Sequence, residues 1–68
     1  MKSINNFSKN LYKIRTNLNI THEQLAEKCN ISSRIIYDYE SGLKFPSIQT
    51  LLKIAINLNV TTDSLFEE

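Results

Sequence analysis

A short polar turn between two helix-forming stretches, just before the middle of this 68-residue chain, constrains its fold more than any other feature. Thr21 and Gln24 have the spacing of a capping box, in which each side chain bonds the backbone N–H of the other residue at a helix start. Asn30 tolerates the left-handed backbone that ends many helices. The sequence therefore predicts helices at residues 22–29 and 33–41, joined by a turn of about 3–4 residues.

The second of these helices is amphipathic. Ser32 is suited to cap its start and Gly42 to end it, while Ile36 and Tyr39 are predicted to face inward. Four residues that can form hydrogen bonds make its predicted outward face: Ser33, Arg34, Tyr37 and Asp38. Two interpretations follow from the pattern alone, a unit that places its second helix in the major groove of DNA or an ordinary helix pair of a small bundle.

The remainder of the chain is also predicted to be helical. Apolar residues recur at helical spacing along residues 6–18, and Pro46 separates the central pair from a further helix at residues 48–58. A final helix is predicted at residues 62–67, and no segment shows the alternation typical of a strand. The predicted fold class is all-α, a compact five-helix bundle that forms a single domain over residues 1–68.

Composition excludes several classes of protein. Cys29 is the only cysteine, and His22 lies two turns from it with no third ligand, so no disulfide, metal or cofactor is predicted. No nucleophile accompanies a base and an orienting group, and no glycine loop is suited to a phosphate, so an enzyme is not expected. The chain has neither a membrane-spanning apolar run nor a signal peptide, which predicts a cytoplasmic protein.

The charges are unevenly distributed, although the net charge is only +1. Residues 1–53 carry all eight Lys and Arg with four of the seven acidic residues, and residues 54–68 carry the other three. The distribution of positive charge matters more to a nucleic-acid binder than the total. Two explanations stay open, a basic DNA-binding part with an acidic end or chance among few charges.

Several motifs stand in a defined order along the chain: Ile14-Arg15, ITHEQLAEKCNIS, YESG, Pro46-Ser47, LLKIA and Leu65-Phe66. This ordered set resembles the Cro/CI-type (XRE-type) helix-turn-helix family of phage and bacterial regulators. The match extends from about residue 7 to residue 66. The resemblance implies the phage-repressor type of DNA-binding domain, with the helix-turn-helix formed by the second and third helices.

The resemblance also implies roles for particular residues. Arg15 and Glu40 match an ion pair between the first and third helices, which fixes the position of the reading helix. The positions that match DNA contacts are His22, Ser32, Ser33, Arg34, Tyr37, Asp38 and Lys44. Arg34 is the expected source of base specificity, whereas Asp38 either accepts from a cytosine amino group or orients Arg34 through an i, i+4 pair. His22 either contacts a phosphate or is simply solvated.

Two functions are weighed on these grounds. The first is a sequence-specific transcriptional regulator, a repressor that binds a palindromic double-stranded DNA operator as a homodimer with half-sites roughly 34 Å apart. Leu65 and Phe66 on the fifth helix are the predicted dimer surface. The alternative is a protein-interaction module on the same scaffold, such as an antitoxin or a unit that binds an antirepressor, which the low net charge and the outward Tyr37 and Asp38 favour.

Overall fold

The computed structural model describes residues 4–68, and every regular element in that range is helical. The α-helices are α1 (Phe7–Asn17), α2 (His22–Cys29), α3 (Ser33–Ser41) and α4 (Ile48–Leu58), with short 3-10 turns at Ile4–Asn6 and Asp63–Leu65. The predicted all-helical fold is confirmed. Helices α2, α3 and α4 have the bounds expected from the sequence, and α1 is one residue shorter at each end. No helix of residues 4–68 combines the length and apolar character needed to span a membrane.

The predicted count of five helices is wrong, because residues 4–68 form four α-helices. The segment expected as the fifth helix, residues 62–67, contains only the 3-10 turn Asp63–Leu65. The amide groups of Asn6 and Asn10 donate to backbone carbonyl oxygens of this segment and so hold it against the start of α1. A segment of this length is also too short to sustain a helix by its own hydrogen bonds.

The helix-turn-helix has well-defined ends. Thr21 Oγ1 accepts from the backbone N–H of Gln24 at 3.0 Å, and Gln24 Oε1 accepts from the backbone N–H of Thr21 at 2.8 Å. Ser32 caps α3 by accepting from the N–H of Ile35 at 3.3 Å. Three asparagines take left-handed backbone after helices, at φ of 59°, 57° and 58°: Asn19, Asn30 and Asn59. The turn between α2 and α3 is therefore fixed from both sides.

The core lies where the four helices meet. Its most deeply buried side chains are Phe7, Leu11, Leu25, Cys29, Ile36, Ile54 and Leu65. Burial raises the pKa of the Cys29 thiol, so this side chain stays neutral and packs as a small apolar group.

Leu65 and Phe66 do not lie where a dimer surface on a fifth helix would place them. Leu65 is fully buried in the core, so its predicted exposure to a partner is wrong. Phe66 is half-buried, and its ring lies 6.0 Å from that of Phe7 and 6.1 Å from that of Phe45. Because the C-terminal segment turns against α1 instead of forming a helix, its large side chains pack within the domain.

The broad apolar face of α4 is only partly buried. Ile54, Ala55 and Leu58 belong to the core. Three other apolar residues are 76%, 48% and 75% exposed: Ile48, Leu52 and Ile56. Residues at i, i+4 and i+8 lie on one side of a helix, so these three form a continuous surface row, here called the α4 stripe.

A buried ion pair joins α1 to α3. Arg15 Nε donates to Glu40 Oε2 at 2.6 Å, and Arg15 Nη2 donates to Glu40 Oε1 at 3.1 Å. A third N–H of Arg15, on Nη1, donates to the carbonyl oxygen of Ile20 at 2.7 Å. The two side chains are 8% and 7% exposed, and the hydrogen bond to Glu40 raises the pKa of Arg15. The pair fixes α3 against α1 and the chain that leads into α2.

We expect Glu40→Leu to lower the free energy of unfolding by about 3–5 kcal/mol, because it leaves the Arg15 guanidinium buried without its counter-ion. The double variant Arg15→Met/Glu40→Leu removes both charges and is expected to recover most of this loss. Urea unfolding followed by circular dichroism measures both values. A Glu40→Leu variant within 1 kcal/mol of the parent would contradict the structural role of the pair, as would a double variant less stable than the single one.

Candidate nucleic-acid interface

The N-terminal turns of α2 and α3 frame an open cleft of about 540 Å³. Its lining residues are His22, Glu23, Ser33, Arg34 and Tyr37. Four of these five belong to the set predicted to contact DNA, and they come from two helices separated by the turn. The packing of α2 on α3 therefore gathers most of the predicted residues at one surface.

Arg34 extends from the first turn of α3 with 79% of its side chain exposed. Its Nε donates to Oδ1 of Asp38 at 3.2 Å, one turn further along the helix. The bond engages Nε and does not use the two terminal Nη groups. The guanidinium thus has one held nitrogen and two further donor groups for another partner.

Asp38 is not on the outward face where the sequence pattern placed it. Its side chain is only 7% exposed, and its carboxylate lies between Arg34 and Lys44, whose Nζ is 3.7 Å from Oδ2. The chain after Gly42 folds back over it, because the N–H groups of Leu43 and Lys44 both donate to the Asp38 carbonyl, at 2.9 and 3.3 Å. Helical spacing alone does not reveal this loop, so the prediction that Asp38 faces outward is wrong.

His22 has a partner that neither sequence interpretation foresaw. Its Nε2 lies 2.9 Å from Glu40 Oε1, so it shares that carboxylate with Arg15. A carboxylate only accepts, which means that Nε2 carries the hydrogen of this bond. The ring also packs against that of Tyr37 in a T-shaped arrangement, with ring centroids 6.1 Å apart. The ring is about one-third exposed, and Nδ1 is its remaining nitrogen for a contact with DNA.

The other predicted residues differ in exposure, and of these only Ser33 and Tyr37 line the cleft. Tyr37 is 52% exposed, Ser33 is half-buried in the cleft wall, and Ser32 is exposed at the cap of α3. Lys44 lies on the loop after α3 with 61% of its side chain exposed. Ile35, between Arg34 and Ile36 on α3, is partly buried against the core.

Two features of the surface were missed by sequence reasoning. Glu23 lines the cleft. Its position beside His22 in the first turn of α2 could have indicated this from the sequence. The bond from His22 to Glu40 spans 18 residues and depends on the packing of α2 against α3, so no local pattern indicates it.

The comparisons with known proteins agree with this geometry. A helix-turn-helix family model matches residues 11–65. The chain is 39% identical over 59 residues to the HTH-type transcriptional activator BcrR of Enterococcus faecalis, an alignment that covers 87% of this chain and 29% of BcrR. The chain spans between 29% and 53% of the length of three relatives of 34–39% identity.

Solved structures show the same fold. The restriction-modification controller protein C.AhdI from Aeromonas hydrophila superposes with a TM-score of 0.87 at 25% identity, over 93% of this chain and 96% of that chain. A chain of the SinR–SinI protein complex gives a TM-score of 0.83 at 27% identity, over 91% of this chain and 61% of that chain.

The family match takes in the whole helix-turn-helix together with most of α1, all of α4 and the turn that follows it. The relatives are transcriptional regulators, which are not a class of enzymes. The surface described above lies on α2 and α3, the two helices that define the motif. The chain therefore belongs to the Cro/CI-type (XRE-type) helix-turn-helix family.

Proposed function

We propose that this chain binds a specific DNA sequence by placing the N-terminal half of α3 in the major groove. The observation that carries the proposal is the position of Arg34, 79% exposed in the first turn of α3 and beside the open cleft. An arginine at this place can donate to both O6 and N7 of a guanine, the most frequent specific contact in the major groove.

Backbone contacts complete the proposed interface. Lys44 follows α3 and is exposed, so it is suited to a phosphate on the strand beside the groove. The N-terminus of α2, next to His22, and that of α4, capped by Ser47, carry the partial positive charge that favours phosphates. With a net charge of only +1, affinity rests on these few placed contacts and is expected to fall with salt in proportion to the number of phosphates that they neutralise.

We further propose that two copies bind a palindromic operator and meet through the α4 stripe. The stripe is symmetric about Leu52, so two antiparallel copies of α4 set Leu52 against Leu52 and Ile48 against Ile56. Such a pair covers side chains that are otherwise 48–76% exposed. The domain is 30 Å long, close to the separation of roughly 34 Å between half-sites one helical turn apart.

Repression is the proposed mode of action, since a dimer seated on an operator blocks access of other proteins to that DNA. A regulator that acts on DNA in this way works in the cytoplasm. A reporter gene placed behind the selected operator is expected to lose expression when the chain is produced, and a rise in expression would identify an activator instead.

Binding to another protein is a second candidate function. Ile4, Leu43 and Phe45 are 68%, 69% and 47% exposed around a cleft of about 300 Å³ next to Lys44. A similar chain was solved within a complex of the SinR and SinI proteins. One stoichiometric protein partner, captured by a chain that shows no salt-sensitive DNA binding, would favour this function over the first.

We expect Arg34→Ala to change the DNA sequences that the protein selects from a random pool. The parent is expected to enrich a palindrome with a fixed guanine in each half-site, and the variant to lose the preference at that position by about 1–3 kcal/mol. Lys53→Ala, which removes the same charge from α4 outside the cleft, is the control and is expected to select the parental sites. Identical sites for the parent and Arg34→Ala would contradict the assignment of Arg34.

We expect Leu52→Glu to abolish the dimer, because it places a carboxylate at the centre of the proposed contact. Leu18→Glu is the matched control, since Leu18 is 49% exposed and Leu52 48% exposed, but Leu18 lies at the end of α1. Sedimentation velocity of the free protein and of its complex with the operator gives the stoichiometry. If Leu52→Glu sediments as the parent does in both states, the α4 stripe is not the dimer surface.

A further inference from the structure

A buried carboxylate lies directly beneath the proposed DNA-binding surface. The side chain of Asp38 is 7% exposed, yet its two charged partners within residues 4–68 are at the surface. Arg34 donates to Oδ1 from Nε at 3.2 Å, and Lys44 places Nζ 3.7 Å from Oδ2. Their side chains are 79% and 61% exposed. The carboxylate therefore holds two cations from beneath, while their outer faces stay open to solvent or DNA.

The bond to Arg34 has a particular geometry. It occupies Nε, the nitrogen nearest to the chain, and leaves the Nη1 and Nη2 groups for a partner. A guanidinium is planar and rigid, so fixing one of its nitrogens limits the directions in which the others can donate. A free arginine must lose much of its rotamer freedom when it binds a base edge, and a held arginine loses less of it.

Lys44 is held by the same residue in a different way. The Asp38 carbonyl accepts the backbone N–H groups of Leu43 and Lys44, at 2.9 and 3.3 Å, while its carboxylate faces the lysine ammonium group. Asp38 thus fixes the loop through its main chain and the two cations through its side chain. Arg34, proposed to contact bases, and Lys44, proposed to contact phosphate, are thus both held by Asp38.

A negative charge at this place also has an unfavourable effect on binding. Non-specific association with DNA is almost entirely electrostatic, so a carboxylate beside the phosphates weakens it for every sequence. The same carboxylate favours the operator by orienting Arg34 before contact. The first effect lowers affinity for all sequences alike, and the second widens the difference between specific and non-specific binding.

We propose that Asp38 is a positioning residue that sets the sequence specificity of the α3 surface by orienting Arg34, with Lys44 as the second cation on the same carboxylate. The proposal rests on the DNA-binding function put forward above. Of the two roles that the sequence left open for Asp38, it takes the orientation of Arg34 over a contact with cytosine, and it makes the discrimination between sequences depend on a residue beneath the surface.

The test is a double-mutant cycle with Asp38→Asn, which keeps the shape of the side chain and removes its charge. Fluorescence anisotropy measures binding of parent and variant to the selected operator and to a random duplex of equal length, at one fixed salt concentration. We expect Asp38→Asn to bind the random duplex more tightly than the parent does. We also expect its preference for the operator to fall about tenfold.

The same substitution in the Arg34→Ala background separates positioning from a structural effect. Without Arg34, Asp38→Asn is expected to leave the operator preference unchanged, because no arginine remains to be oriented. An equal loss of preference in both backgrounds would overturn the proposal, and so would an unchanged preference when Arg34 is present. A parent that discriminates between duplexes keeps the proposed function intact in either case, whereas a parent that binds no duplex refutes both.

A measurement on the free protein covers the case in which Asp38→Asn folds poorly. Nitrogen-15 NMR of the parent is expected to show a slowly exchanging Arg34 Nε–H with a shift distinct from that of a solvated arginine. Asp38→Glu, which keeps the charge but moves the carboxylate, is expected to alter that signal and to lower operator preference without tighter binding to the random duplex. A parent Arg34 Nε–H that exchanges as fast as a solvated arginine would overturn the proposal without any use of DNA.

Discussion

The position of the proposed DNA-binding surface depends on one buried carboxylate, that of Glu40. It accepts two N–H groups from Arg15 of α1 and faces His22 of α2 at 2.9 Å, so three helices converge on a single side chain of α3. Packing of apolar residues holds helices together but tolerates sliding, whereas a bidentate arginine–carboxylate pair defines both distance and direction. The cleft between α2 and α3 takes its shape from this junction.

Helix α3 carries a second buried carboxylate with the opposite orientation. Asp38 and Glu40 are two residues apart, so their side chains leave the helix on different sides. Glu40 bonds inward to the scaffold, while Asp38 holds the surface cations Arg34 and Lys44. Glu40 therefore fixes the position of α3, and Asp38 orients the cationic side chains at its surface.

The sequence predicted most of the helices because their signals are local. Thr21 with Gln24, Asn30 and Ser47 mark helix ends through hydrogen bonds within a few residues, and the structure contains those bonds and that left-handed turn. The prediction of a fifth helix was wrong because the conformation of that segment depends on hydrogen bonds from Asn10. The carbonyl groups that accept them lie 54 and 57 residues further along the chain. Local propensity cannot anticipate a partner at that separation.

The candidate site divides in the same way. Arg34 and Tyr37 were placed correctly at the surface, since helical spacing determines which side of α3 they occupy. Asp38 was misplaced because a loop after Gly42 covers it, and His22 acquired a partner on another helix. Helical periodicity predicts the direction in which a side chain leaves its helix, but it does not predict which other segments of the chain pack against that side chain.

Placement of α3 in the major groove is tested most directly by dimethyl sulfate protection on the selected operator. This reagent methylates N7 of guanine in the major groove and N3 of adenine in the minor groove, so it reports the groove that the protein occupies. The structure predicts guanine N7 protection in two patches about 10 base pairs apart, with loss of that protection in Arg34→Ala. Protection of adenine N3 alone, or guanine protection that persists without Arg34, would contradict the proposed reading of DNA by α3.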